Sequence, residues 1–161
     1  RFRGKLLKKR MKNKLIIYTD GGARGNPGPA AIAAVVGMPS PSPGHALATG
    51  HHAEHFYSEA IGKTTNNVAE YRAIIFALKK AKSLLGGEAA LETEIEIRSD
   101  SELAVSQLTG KYKVKDDELK PLFIDMWNLK QDFKEVRFTL IPREDNREAD
   151  KLVNQALDTF I

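Results

Sequence analysis

Four acidic side chains stand out by their settings: Asp20 in YTDGG, Glu70 in TTNNVAEYRA, Asp100 in IRSDSE and Asp150 in NREADKL. Asp20 and Asp100 fall where strand patterns end. Glu70 and Asp150 fall in the first turn of helix patterns. Junctions of this kind can crowd together at one end of a sheet. Four carboxylates in one place cannot all stay ionised without counter-charge. Hard divalent cations, which take oxygen ligands, supply it. Two such ions roughly 3.5–4 Å apart are a device for phosphodiester cleavage. Each acid also has a purely structural reading. Asp20–Gly21 is a hairpin-turn signal. Asn67 with Glu70 three residues on is a capping box in Asn form. Asp100 could cap the helix that Ser101 opens, and Asp150 suits the positive end of a helix dipole. Spacing alone leaves both kinds of reading open.

The elements that must position these acids are readable from periodicity. Leu15–Thr19 is a buried strand, and the GGARGNPGP run from Gly21 to Pro29 is turn chemistry. Ala30–Val36 is a second strand, Gly37–Glu54 a loop rich in Pro, His and Gly, and Phe56–Ile61 a third strand. Tyr71, Ile74, Ile75, Leu78 and Ala81 recur at helical spacing, and Gly86–Gly87 stops that helix. Leu91–Ser99 alternates as a half-buried strand. Ser101–Leu108 and Pro121–Phe133 read as helices, with a last strand at Val136–Ile141. Ala149, Leu152, Val153, Ala156 and Leu157 form the apolar stripe of a final helix. Three strands in a row, then alternating helices and strands, predict an α/β fold with helices packed on a mixed sheet.

A chain of 161 residues, 42% of them hydrophobic, is one domain with a real core. It has no cysteine, which excludes disulfides and thiolate zinc sites and suits a reducing compartment. No apolar run approaches the roughly 20 residues of a membrane span. The charge is uneven. Eight of the 25 basic residues fall in 1–14 with no acid among them, leaving 17 against 21 acids in 15–161. The net +4 is thus a basic tail on an acidic body. We divide the chain into that tail, 1–14, and one domain, 15–161. The tail reads as nucleic-acid or membrane-surface attraction, or as a solubilising extension.

The words TDGGARGNPGPA, TTNNVAEYRA, SDSELAV and IPREDNREADKLVNQAL, in that order, resemble type 1 ribonuclease H from Leu15 to about Leu157. The resemblance implies a ribonuclease H-like fold, a five-stranded mixed sheet of order 3-2-1-4-5 with helices on both faces. It makes Asp20, Glu70, Asp100 and Asp150 the catalytic carboxylates, holding two Mg²⁺ ions, with Mn²⁺ as a substitute. It implies an endonuclease that cuts the RNA strand of an RNA/DNA hybrid, leaving 5′-phosphate and 3′-hydroxyl ends. Gly21, Gly22, Asn26, Asn66 and Asn67 would read the hybrid groove, Thr65 would sit by a DNA-strand phosphate, and Tyr112, flanked by Lys111, Lys113 and Lys115, would meet the DNA strand. We expect a cytoplasmic monomer.

The sequence departs from the family's best-known pattern in three places. The loop before Asp150 has no His, and Arg143 stands in it, where a guanidinium can hold phosphate but cannot act as a base. The stretch Lys111–Lys120 is short and mixed in charge, so a long basic protrusion is missing. Glu102 stands where some relatives have Gln. The four histidines, His45, His51, His52 and His55, share one segment between the second and third strands. His51 and His55 have the i, i+4 spacing of a helical metal site, but their Gly- and Pro-rich surroundings favour a polar loop. Two other classes remain: a resolvase- or transposase-like nuclease on the same fold, against which the GNPGP and TTNN words speak, and a non-catalytic hybrid-binding module, against which all four acids speak.

Overall fold

The structure, a computed structural model, describes residues 13–39 and 51–159. Most of the basic tail, and the loop with His45, lie outside the described residues. Five strands, β1 (Lys14–Ala23), β2 (Gly28–Pro39), β3 (His51–Thr64), β4 (Glu94–Ser99) and β5 (Glu135–Leu140), form one sheet of order β3-β2-β1-β4-β5. β2 runs antiparallel to both β1 and β3, while β4 runs parallel to both β1 and β5. The expected mixed sheet and strand order are therefore present. The helices are α1 (Asn66–Leu85), α2 (Gly87–Leu91), α3 (Glu102–Leu108), α4 (Leu119–Lys130) and α5 (Arg147–Asp158), with a 3₁₀ turn at Arg143–Asp145.

Alternation along β1 builds two cores. Leu15 and Ile17 pack with Ile74, Leu78, Ile95, Leu119 and Met126 beneath α1 and α4. Ile16 and Tyr18 point the other way, onto Ala149, Val153 and Leu157 of α5. Small residues on β2 (Ala31, Ala33, Val35) let α5 lie close. The apolar stripe of the last helix thus has its predicted role.

Several local expectations are corrected. β1 does not stop at Thr19: Asp20, Gly21 and Gly22 stay in the ladder opposite Ala33, Ile32 and Ala31. The turn comes later, at 24–27, where Gly25 takes a positive φ of 99°. The hairpin-turn reading of Asp20–Gly21 is therefore overturned, because cross-strand pairing outcompetes the local turn signal. The helix α1 is capped by the Thr65 hydroxyl, which accepts from the Val68 N–H at 3.3 Å, so Asn67 and Glu70 form no capping box. Glu70 lies in the second turn of α1 rather than the first. Ser101, not Asp100, caps α3 by accepting from the Ala104 N–H at 3.2 Å. Asp150 does lie in the first turn of α5.

The strand expected over Leu91–Ser99 starts only at Glu94, because Leu91 closes the short helix α2. The segment read as a loop from Gly37 to Glu54 gives up its ends to strands β2 and β3. His51 and His55 consequently sit four residues apart on an extended strand, roughly 13 Å by strand rise. The helical spacing on which an i, i+4 metal pair depends is therefore absent.

Candidate active site

The acids converge where β1, α1 and the end of β4 meet. One carboxylate oxygen each from Asp20, Glu70 and Asp100 lies within 4.8 Å of the other two. Asp150 joins them from α5 as a lining residue of the same open cleft, about 400 Å³ in volume. Gly22, Arg24, Asn66, Asn67, Ser101, Arg143 and Asn154 complete much of its wall.

Glycine 21 makes the convergence sterically feasible. A Cβ there would sit 2.3 Å from the Ala69 carbonyl oxygen, so only glycine lets α1 close on β1. The next residue of α1 is Glu70. Gly21 thereby spends its bare Cα on the helix. At Gly22 a Cβ would meet nothing nearer than Val153 Cγ1 at 3.6 Å.

Like charges in a half-dry site shift the acids' protonation. Burial first, then the charges of Asp100 and Asp150, push the Asp20 carboxyl from its ordinary 3.8 up to about 7. Burial, followed by the charges of Asp20 and Asp100, raises Glu70 well above its usual range. Asp100 is raised mainly by burial, against the opposing pull of an Asn146 hydrogen bond and the Arg143 cation. One oxygen of Glu70, Oε2, is buried without a hydrogen-bond partner among the described residues. A buried carboxylate oxygen left unpaired is costly unless something positive meets it. The all-oxygen donor set and this orphaned atom fit a hard divalent cation.

Asn146 was not legible as a site residue. It reads as a helix cap, yet its side chain caps nothing. Its amide Nδ2 donates instead to the Thr19 carbonyl at 2.9 Å, and reaches Asp100 Oδ2 at 3.5 Å. It is 1% exposed and ties β1 to Asp100. Arg143 lies in the cleft wall and makes no ion pair with Glu144 or Asp145 among the described residues. Asn26 and Asn66 tie the start of α1 to the β1–β2 turn: Asn26 Oδ1 accepts from the Asn66 N–H at 3.1 Å, and Asn66 Oδ1 accepts from the Ala23 N–H at 2.8 Å. Asn67 lines the cleft, and Thr65 is held as the α1 cap. Tyr112 stands apart, beside a second, mostly apolar groove with Val114, Phe123 and Ile124. Its hydroxyl donates to Glu102 at 3.3 Å.

This sheet order with a carboxylate cluster at the β1–β4 junction defines a ribonuclease H-like hydrolase scaffold. A family model described as reverse transcriptase-like matches residues 18–156. LC11-RNase H1, isolated from compost, is 46% identical with a TM-score of 0.78, covering 91% of this chain and 96% of that one. Its complex with an RNA/DNA hybrid aligns at 45% identity and a TM-score of 0.77, covering 89% and 96%. The bifunctional protein Rv2228c of Mycobacterium tuberculosis is 40% identical over 145 residues, 90% of this chain but 36% of that protein. Ribonuclease HI of Halobacterium salinarum is 38% identical over 141 residues, covering 88% and 63%. The chain belongs to the type 1 ribonuclease H family. It spans little more than a third of the mycobacterial relative's length.

Proposed function

We propose that this chain is an endonuclease that hydrolyses the RNA strand of RNA/DNA hybrids. The carrying observation is the group of three carboxylate oxygens within 4.8 Å of one another, in a cleft whose wall includes glycine backbone, Asn66, Asn67 and Arg143. Support comes also from the 45% identity to a protein whose complex is with such a hybrid. Asp20, Glu70, Asp100 and Asp150 would hold divalent ions, two Mg²⁺ on this reading. Such ions, when bound, supply a more acidic water and charge neutralisation at phosphorus.

The chain's own residues do the rest. Glu70 offers an oxygen, Oε2, that burial leaves without a hydrogen-bond partner, and Asp20 beside it adds a second carboxylate where a cation would offset the repulsion. Asn146 fixes Asp100 against β1. Arg143 offers a fork of N–H donors to a non-bridging phosphate oxygen without giving up a proton. The Oδ1 atoms of Asn26 and Asn66 are consumed internally, so what each presents outward is its NH₂ donor pair. Donors suit the acceptors of a hybrid's shallow groove, 2′-oxygens and base edges among them. Asn67 adds both kinds of group, and the Gly22 backbone lies open beside it. Gly21, turned to α1, contributes its N–H near the acids rather than a close approach to substrate. Thr65 and Tyr112 flank the path of the DNA strand. We read the active form as a cytoplasmic monomer.

The test is cleavage of an RNA/DNA hybrid, single-stranded RNA and double-stranded DNA, each with Mg²⁺ and with chelator, beside melting curves with and without Mg²⁺. Selective, chelator-sensitive cutting of the hybrid RNA strand and a Mg²⁺-dependent rise in Tm are expected. Binding of the hybrid without cutting would leave the non-catalytic module, and cutting of duplex DNA the resolvase-like nuclease.

A further inference from the structure

A buried polar chain joins the carboxylate site to the loop that carries Tyr112. Tyr71 follows Glu70 directly on α1 and is 1% exposed. Its hydroxyl donates to Oε1 of Gln107, on α3, which begins next to Asp100. Gln107 is itself 5% exposed, and its Nε2 donates to the Lys113 carbonyl at 3.1 Å. The loop is pinned a second time on the other side of Tyr112, where the Lys111 and Tyr112 N–H groups both donate to the Ser106 carbonyl, at 2.8 and 3.0 Å. Tyr112 therefore stands between two anchors, one on α3 backbone and one on the Gln107 amide. An apolar helix stripe would place a leucine at position 71 equally well. The hydroxyl adds nothing to packing that a phenyl ring lacks.

We propose that Gln107 is a positioning residue, which with Tyr71 sets the loop carrying Tyr112 at a fixed height above the carboxylate site, so that one strand of the nucleic acid is gripped in register with the acids. The inference rests on the proposed role of Tyr112 in substrate contact.

The test uses the full chain on one RNA/DNA hybrid, with steady-state kinetics and melting curves for Gln107→Met, Tyr71→Phe, their combination, Tyr112→Ala, and Gln107→Met with Tyr112→Ala. Base–aromatic stacking sets the scale of a displaced Tyr112, and a rise in KM of about fivefold or more is expected for Gln107→Met. Its kcat should change by less than about twofold. Tyr71→Phe leaves Gln107 Oε1 unpaired and should lower Tm. Combining it with Gln107→Met removes both partners and should recover much of that Tm. The raised KM should persist in the combination, because the Lys113 carbonyl is still unheld. A purely structural role predicts that KM and Tm recover together, and that result would overturn the proposal. Gln107→Met should add nothing to Tyr112→Ala, and multiplied effects in that pair also sink it. An unchanged KM in Tyr112→Ala removes the contact role of Tyr112 and the inference with it. A raised KM in Tyr112→Ala beside a normal one in Gln107→Met removes the inference alone.

Discussion

Asp20 carries the sharpest consequence at the scale of a single residue. Its folded carboxyl titrates near 7 and its unfolded one near 3.8. Between those values the folded state holds more protons on this group, so Asp20's contribution to metal-free stability is full below about pH 4 and is lost as pH rises through 7. Asp20→Asn removes the charge that must otherwise be buried. Its metal-free Tm at pH 8 should equal or exceed wild type, while Mg²⁺-dependent turnover disappears. A variant retaining a tenth of wild-type turnover refutes the assignment of this acid. Arg143 makes a second case. Arg143→Ala should lower kcat with modest change in hybrid affinity, and Arg143→Lys should recover part of the loss, since charge returns without the fork. Wild-type rates for Arg143→Ala would leave that loop with Asp150 alone. The four acids were readable because they sit in distinctive words. Asn146, Tyr71 and Gln107 were not, because an Asn before a helix reads as a cap and a Tyr in an apolar stripe reads as core. Their partners lie 127 and 36 residues away, beyond any local pattern.

Elements explain where reading by pattern failed. The DGG run has a turn's composition, yet β2 pairs with it through Ala23 and keeps it extended. Strand ends move for the same reason at β3, where pairing to β2 draws in His51–Ala53 despite a loop-like composition. Helix periodicity located α1 and α5 well, since one face of each is buried along its length. The β1–α1 contact at Gly21 gives a test of this level. Gly21→Ala must push the Ala69 carbonyl aside, and overpacking of this kind costs about 1–3 kcal/mol. Because Glu70 follows Ala69, the displaced helix should also cost activity. Thermal melting and turnover should both fall, and Gly22→Ala, with 3.6 Å of clearance, should melt close to wild type.

The basic tail belongs to the whole molecule. Its charges should raise affinity for nucleic acid without altering the cut products. Each neutralised phosphate contributes roughly −0.9 to the slope of log affinity against log salt on a B-form duplex. A chain starting at Met11 should therefore bind hybrid more weakly at low salt and with a shallower slope. Identical slopes would show that the tail does not reach the substrate. The mildly acidic body, with a cleft in which Arg143 stands against four acids and Arg24 is paired with Asp158, makes such an outlying cationic segment useful for capture.

Helix α5 brings Asp150 to the cleft with the same residues that cover the second face of the sheet. During synthesis, β1 to β5 emerge before it, with Ile16, Tyr18, Ala33 and Val35 still bare. A nascent or truncated chain lacking that helix is thus short of an acid and displays an apolar sheet face to chaperones and proteases. Docking of that helix completes the core and the acid set together, so a chain lacking it should neither melt cooperatively nor cleave hybrid.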